Sequence, residues 1–288
     1  MAVRAAVEAL LRERKLDRTL TSALPERLGE DAVAPLDSLA LDRALAGPAG
    51  LQGNAVAGGL PRGQVSEVVG PASSGRTSVA WAAIAAATRR GESVALIDTF
   101  DRFDPPTAHA CGIDLAQLLW VRGQAVSKTS GAIDPTWLPG VRAVTGSPSR
   151  VLGAMGQSGS GTFLERVIDR AIKSLNLVVQ SGVCTLVVMD LIDLPATALR
   201  RLPASTWFRV ERAIDGSETA VLILAAQPVS RSSGGRSIVL SRGEGVVWTG
   251  DHDRSRRVTG VRSRATVNAA RWSQGHTVVT ETRLVNAV

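Results

Sequence analysis

The chain has 288 residues, of which 44% are hydrophobic and 20% charged, and this composition excludes a wholly disordered protein. The formal net charge of +7 favours a polyanionic partner, although basic charge alone does not establish nucleic-acid binding. Two cysteines and three histidines argue against a disulfide framework and disfavour metal chemistry, so a reducing setting is expected.

Charged side chains interrupt the amino terminus, among them Arg4, Glu8 and Arg12, so no signal-peptide core is predicted. No apolar run reaches about 18 residues, and therefore no membrane span is predicted. We predict a cytoplasmic protein with no membrane contact.

Residues 1–24 are predicted to form an amphipathic helix, because Val3, Val7 and Leu10 lead a helically spaced apolar set. This apolar face could pack on the protein's own core or on a neighbouring subunit or partner. The predicted core spans 25–250 and opens with an irregular lead-in that contains a short helix, Leu36–Leu45.

The most informative stretch reads as strand, loop, helix and strand, from Val65 to Asp98. Gly70 and Gly75 frame a loop that enters an alanine-rich helix, so backbone amides and the helix dipole can form an anion cradle. The pattern matches the phosphate loop G-x-x-x-x-G-K-[ST], with Thr77 as the hydroxyl but Arg76 in place of lysine. The alternative is a Gly/Ser turn that carries a surface arginine.

Further strands and helices follow, interrupted at 123–160 by a Gly/Ser-rich stretch that predicts a flexible insertion. The predicted elements are a helix at Thr107–Cys111, a helical turn and strand within Leu115–Val121, helices at Phe163–Val179 and Ser205–Ile214, and strands at Thr185–Met189, Ala220–Ala225, Ser237–Leu240, Gly245–Thr249, Val258–Val261, Ala269–Trp272 and Thr277–Glu281. The order predicts an α/β fold, with a mostly parallel twisted sheet flanked by helices and extended by antiparallel edge strands.

Two polar residues end apolar strands of this predicted sheet. Asp190 is placed where a carboxylate would hold a magnesium-bound water, although it could equally cap a helix. Gln227 would face the same crevice from the end of a neighbouring strand.

Several separated landmarks resemble the bacterial RecA recombinase family in order and spacing, over about Leu36–Thr249. They are Gly59-Leu60-Pro61-Arg62-Gly63, the loop Gly70 to Ser78, Ile97-Asp98, Asp104-Pro105, Gly112-Ile113-Asp114, Leu118-Leu119, Asp190 and Gln227. The resemblance implies a RecA-type phosphate-loop ATPase core.

It also implies a nucleotide site and two loops that face DNA. The implied nucleotide-binding residues are Gly70, Ser73, Ser74, Gly75, Arg76, Thr77, Ser78, Asp104, Asp190 and Gln227, with Thr77 and, through water, Asp190 at Mg²⁺. The implied DNA-binding residues are Arg200, Arg201, Arg231 and Arg236, whose alternative is ordinary solvated loop charge.

Departures from the family pattern fall in one site. Phe100 stands where the family has the glutamate that orients the attacking water, and Asp101 is the only adjacent candidate for a catalytic carboxylate. Thr107 replaces a tyrosine that stacks on adenine, and Arg76 replaces the lysine. We expect ATP or ADP with Mg²⁺ to bind weakly or not at all, with little or no hydrolysis.

The chain resembles the ImuA branch of RecA relatives in three features: an eroded ATP site, a basic N-terminal helix and an arginine-rich segment at 251–288. That resemblance implies an accessory protein of DNA repair in SOS-induced, error-prone translesion synthesis. Its partners would be a recombinase filament, a polymerase-like protein and possible single-stranded DNA. The alternatives are an active DNA-dependent ATPase or recombinase and a regulator unrelated to DNA. The basic segment could bind DNA, bind an acidic partner or only maintain solubility.

Overall fold

A central sheet with helices on both faces forms the body of the protein. The computed structural model describes residues 32–52, 58–123, 157–230, 234–252, 254 and 256–283. The predicted N-terminal helix, most of the predicted insertion and Arg231 lie outside these residues.

The parallel part of the sheet has six strands: β3 Val65–Val69, β4 Val94–Asp98, β5 Leu118–Arg122, β6 Leu186–Asp190, β7 Ala220–Ala225 and β8 Ser237–Leu240. They lie in the order β8-β3-β7-β6-β4-β5. This order interleaves distant parts of the sequence, so the carboxyl ends of β3, β4, β6 and β7 meet at one edge.

Three antiparallel strands extend this sheet beyond β8, to nine strands within the described residues. They are β9 Gly245–Thr249, β10 Arg257–Asn268 and β11 His276–Arg283, and β10 pairs with β8, β9 and β11. A separate pair, β1 Val33–Ala34 and β2 Leu60–Pro61, lies in the lead-in. The predicted α/β class, with a parallel sheet and antiparallel edge strands, is confirmed.

The helices cover the two faces of the sheet. They are α1 Leu39–Leu45, α2 Pro48–Leu51, α3 Arg76–Arg89, α4 Pro105–Ala110, α5 Gln157–Ser181, α6 Ala196–Leu199 and α7 Ala204–Ile214, with a 3₁₀ turn at Leu115–Gln117. Alternate strand residues face opposite sides: Val68 packs towards α1 and α3, whereas Val65 and Val69 pack towards α5 and α7.

Three predicted elements need correction. The predicted strand Ala269–Trp272 is a turn, in which the Trp272 amide donates to the Ala269 carbonyl at 3.1 Å. The Trp272 ring packs against the His276 ring. The predicted strand Val258–Val261 is only part of β10, and the helix predicted from Phe163 begins at Gln157.

None of the helices in the described residues is long and apolar enough to cross a membrane.

At the amino-terminal edge of the sheet, Glu92 binds three side chains. It accepts from Arg62 at 2.9 Å, from Arg90 at 2.7 Å and from Thr185 at 2.9 Å. Burial alone would raise the pKa of Glu92, but the hydrogen bonds from Arg90 and Thr185 and the charge of Arg62 outweigh it, so its pKa is lowered. The ionised form is therefore the one that the fold stabilises.

We expect Glu92→Gln to lower the free energy of unfolding by about 1–2 kcal/mol at pH 7. A lowered pKa contributes stability above the unfolded pKa of about 4.3, and this contribution is lost as pH falls further. Urea unfolding should therefore show a larger difference between Glu92→Gln and the unmodified protein at pH 7 than at pH 3.5. Glu218→Gln, at an exposed glutamate, is the control, and an equal loss at both pH values would contradict the prediction.

Candidate functional site

The predicted phosphate loop joins β3 to α3 at the carboxyl edge of the sheet. Gly70 lies so close to β8 that an added Cβ would be 2.5 Å from the Leu240 carbonyl oxygen and 2.7 Å from Ser74 Oγ. Gly75 takes the left-handed conformation, with φ of +94°, immediately before α3. These two glycines allow the chain to turn sharply into the helix.

The donors of this loop are amides and hydroxyls. The first amides of α3 have no acceptor within the helix, as at every helix start, and Thr77 and Ser78 lie in this first turn. Ser73 is exposed with φ of +60°, whereas Ser74 is fully buried. Among the described residues Ser74 Oγ finds no hydrogen-bond partner. The loop thus offers neutral donors, as an anion cradle requires.

Arg76 lies beneath the loop. Its side chain is buried, and Nη1 donates to the Ala225 carbonyl oxygen at the end of β7, at 3.0 Å. Burial lowers the pKa of this guanidinium, and the nearby charges of Asp190 and Asp193 oppose that shift. The cation of the predicted phosphate loop is therefore fixed towards the sheet edge.

Asp98 and Asp190 are direct neighbours across β4 and β6. Asp98 is buried and accepts from the amides of Arg102 and Phe103, both at 2.9 Å, and from Trp120 Nε1 at 3.1 Å. These three hydrogen bonds shape the loop that follows β4. Asp98 is a positioning residue that the sequence pattern did not single out as such.

Asp190 lies partly buried at the end of β6, as predicted, and Oδ1 accepts from the Ile192 amide at 2.8 Å. Burial raises the pKa of Asp190 to about 7, and the charges of Asp98 and Asp193 add to this effect, whereas the Ile192 hydrogen bond and Arg76 oppose it. The carboxylate is therefore easily neutralised when no further cation is near it.

Phe100 and Asp101 follow β4. The Phe100 ring packs against the core beneath α5 and α7. Asp101 has φ of +57°, and its carboxylate is held by Arg122 through two hydrogen bonds of 2.8 Å. The Arg122 guanidinium in turn lies 4.3 Å from the Trp120 ring centroid. The bidentate pair raises the pKa of Arg122 and engages both oxygens of Asp101.

Asp104 and Thr107 contact each other at the start of α4. The Asp104 carboxylate caps the helix by accepting from the Thr107 amide at 3.1 Å, and it also accepts from the Thr107 hydroxyl. In this arrangement both residues form a local capping motif.

The loop after β7 carries Gln227, which is exposed beyond Ala225. Glu67 on β3 holds the next part of this loop. Its buried carboxylate accepts from the Val229 amide at 2.9 Å and the Ser230 amide at 3.0 Å, and from the Ser237 hydroxyl at 2.9 Å. Our sequence reasoning missed Glu67, although a glutamate inside the apolar run of β3 could have revealed it.

The predicted DNA-binding arginines fall into different environments. Arg200 and Arg201 are exposed after α6, and Arg201 lies 4.0 Å from Glu165. Arg236 donates to the carbonyls of Leu45 and Gly234 and lies 4.9 Å from the Trp272 ring centroid. Burial lowers the pKa of Arg236. Arg236 is thus bound within the protein, whereas Arg200 and Arg201 face solvent.

The resemblance implies a nucleotide with Mg²⁺ at this edge of the sheet. The loop fits the phosphate groups of such a nucleotide, because it combines two glycines in special conformations with the Ser74 hydroxyl, which has no partner among the described residues. Thr77 is exposed in the first turn of α3, Asp190 ends β6 at the same edge of the sheet, and these two would hold the metal. No group of three or more metal-ligating side chains comes together in the described ranges.

Comparison with known proteins agrees with this geometry. The family model of the RecA N-terminal domain matches residues 14–203. Protein RecA of Lactobacillus delbrueckii subsp. bulgaricus is 34% identical over 187 residues, or 60% of this chain and 52% of the relative. For Protein RecA of Salinispora tropica the identity is 35% over 185 residues, or 57% of this chain and 50% of the relative.

A third relative, Protein RecA of Treponema denticola, is 29% identical over 189 residues, or 62% of this chain and 42% of the relative. The chain spans about half the length of the curated relatives that it matches. The match to residues 14–203 covers β3, the phosphate loop, α3, β4 and β6. The chain therefore belongs to the RecA N-terminal domain family.

Proposed function

We propose that this protein is a RecA-like accessory factor of DNA repair that binds other macromolecules and hydrolyses ATP weakly or not at all. The observation that carries the proposal is the environment of Phe100 and Asp101. Phe100 packs into the core, and Asp101 is held by Arg122 at 2.8 Å through both oxygens. A general base must reach the proton that it removes, and neither side chain is available for this.

The finer proposal places the protein in the ImuA branch, supporting SOS-induced, error-prone translesion synthesis. It rests on the eroded site together with the basic charge of the chain, +7 overall. In this role the protein would bind a recombinase filament, a polymerase-like partner or DNA. Nucleotide would be a structural ligand of the loop that begins at Gly70.

Two ion pairs on the C-terminal strands weigh against DNA contact by these strands. Arg262 pairs with Glu281 at 3.5 Å, and Arg264 pairs with Glu244. These pairs neutralise part of the basic segment within the sheet itself. We propose that Arg200 and Arg201, both exposed, make any phosphate contacts with single-stranded DNA.

The second candidate function is an active DNA-dependent ATPase, with Asp101 as the catalytic carboxylate and Gln227 linking phosphate to the DNA loop. The exposure of Gln227, in the loop that follows β7, favours it. However, Asp101 would have to leave Arg122 before it could act.

A turnover assay with Mg²⁺, with and without single-stranded DNA, separates the two functions. Because loss of a general base costs about 10²–10⁴-fold, we expect turnover at least about 100-fold below that of an active RecA protein assayed in parallel. Asp101→Ala should leave any residual rate unchanged, as should the control Asp114→Ala. DNA-stimulated turnover that Asp101→Ala abolishes would overturn the proposal.

The binding part of the proposal is tested with the same preparation. We expect it to co-sediment with a recombinase filament preassembled on single-stranded DNA at about 150 mM salt, because non-specific polyanion binding is much weaker there than at low salt. A polymerase-like partner, if one is co-purified, serves as the second probe. Failure to bind filament, DNA and polymerase-like partner at this salt would favour a regulator unrelated to DNA.

A further inference from the structure

Arg76 lies at the edge of the sheet where β4 and β6 end in Asp98 and Asp190. The charges of Asp190 and Asp193 act on Arg76, and Asp98 is the neighbour of Asp190 across the strands. Asp98 is satisfied by three donors, and Asp193 also pairs with Arg102 at 3.1 Å. Asp190 accepts from the Ile192 amide at 2.8 Å. Arg76 reaches the same strand ends through Ala225, which follows Leu224, the neighbour of Asp190 across β6 and β7, so its charge acts where Asp190 lies.

The position of Arg76 differs from that of a cation that reaches out to a ligand. Its side chain is only 7% exposed, and it donates to the Ala225 carbonyl oxygen at 3.0 Å. If the guanidinium moved to the exposed rim of the loop at Ser73, the Ala225 carbonyl would lose its donor. This loss is costly in a buried setting. Arg76 therefore contributes its positive charge from the buried side of the loop and does not reach the exposed side.

We propose that Arg76 supplies, from within the protein, the positive charge that a divalent cation would otherwise place between the loop and Asp190, so that the loop binds nucleotide phosphates without requiring Mg²⁺. This rests on the proposed function, in which nucleotide is a structural ligand and is not turned over.

The other donors of the loop suit a ligand bound without metal. Ser74 is 0% exposed, and its Oγ has no partner among the described residues although it lies beside Gly70. The first amides of α3 point out of the helix start, and its dipole favours negative charge. A diphosphate or triphosphate group could be held by these neutral donors, while Arg76 offsets the carboxylates behind them.

Calorimetric titration with ADP tests the proposal, once with excess EDTA and once with Mg²⁺. For the unmodified protein we expect the two Kd values to agree within about threefold. Arg76→Gln removes the positive charge, whereas Arg76→Lys would restore the lysine of the phosphate-loop pattern. The Kd of Arg76→Gln in EDTA should exceed that in Mg²⁺ by at least about tenfold, because the internal charge is absent.

Two further variants make the test specific. Arg89→Gln removes the same charge at the other end of α3, where Arg89 pairs with Asp37, and it should retain the behaviour of the unmodified protein. Ser74→Ala removes the unpartnered hydroxyl but leaves Arg76 intact. It should weaken ADP binding by about fivefold in both buffers alike.

ADP binding to the unmodified protein only with Mg²⁺, or no ADP binding in either buffer, would overturn the proposal. So would a metal dependence of Arg76→Gln equal to that of the unmodified protein. If Arg76→Gln fails to fold, as judged by circular dichroism, two results still decide: the ratio of the two Kd values of the unmodified protein and the equal weakening in Ser74→Ala. The accessory role is tested separately by turnover and filament binding, so its failure can be distinguished from failure of the proposal on Arg76.

Discussion

Glu67→Ala should lower the free energy of unfolding by about 3–4 kcal/mol, because several donors would lose a charged acceptor in a buried setting. The carboxylate accepts from the amides of Val229 and Ser230 and from the hydroxyls of Ser230 and Ser237. Water cannot readily replace it, since Glu67 is only 3% exposed. Thermal and urea unfolding would measure the loss.

The same substitution should release the segment after β7. In the unmodified protein we expect slow hydrogen exchange at the Val229 and Ser230 amides, and fast exchange in Glu67→Ala. Glu67→Gln keeps one acceptor oxygen and should lose only about 1–2 kcal/mol. Glu165→Ala, at an exposed glutamate, is the matched control. Unchanged exchange in Glu67→Ala would show that the segment is held by other contacts.

Gly70→Ala is expected to destabilise the protein by about 2–3 kcal/mol through overpacking. The new methyl group would lie 2.5 Å from the Leu240 carbonyl oxygen and 2.7 Å from Ser74 Oγ. The Leu240 oxygen belongs to the backbone of β8, which pairs with β3 and β10, so it cannot move aside without disturbing the sheet. Ser74 would also be displaced from the loop.

Unfolding experiments and ADP titration measure the two effects of Gly70→Ala. We expect binding to weaken by at least about tenfold, since the loop can no longer keep its amides and the Ser74 hydroxyl in place. Gly245→Ala is the matched control, because a Cβ there meets nothing within 4 Å. A Gly70→Ala variant that is as stable as this control would contradict the close approach of the loop to β8.

Local patterns were sufficient to predict much of the fold. The apolar runs of β3, β4, β6 and β7 and the alanine-rich α3 were all placed within one or two residues, because period and composition act within single elements. The turn at 269–272 was mistaken for a strand. Its apolar residues serve packing, as the contact of Trp272 with His276 shows, and periodicity alone cannot separate these cases.

By itself, the sequence determined the parallel α/β core, the glycine-framed loop and the position of Asp190 at the end of a strand, because these depend on neighbours along the chain. Only the tertiary structure decided what the charged side chains contact. Arg76 meets a carbonyl 149 residues away, and Glu67 holds amides 162 and 163 residues away. Such partners are set by strand order, which brings distant strand ends to one edge of the sheet.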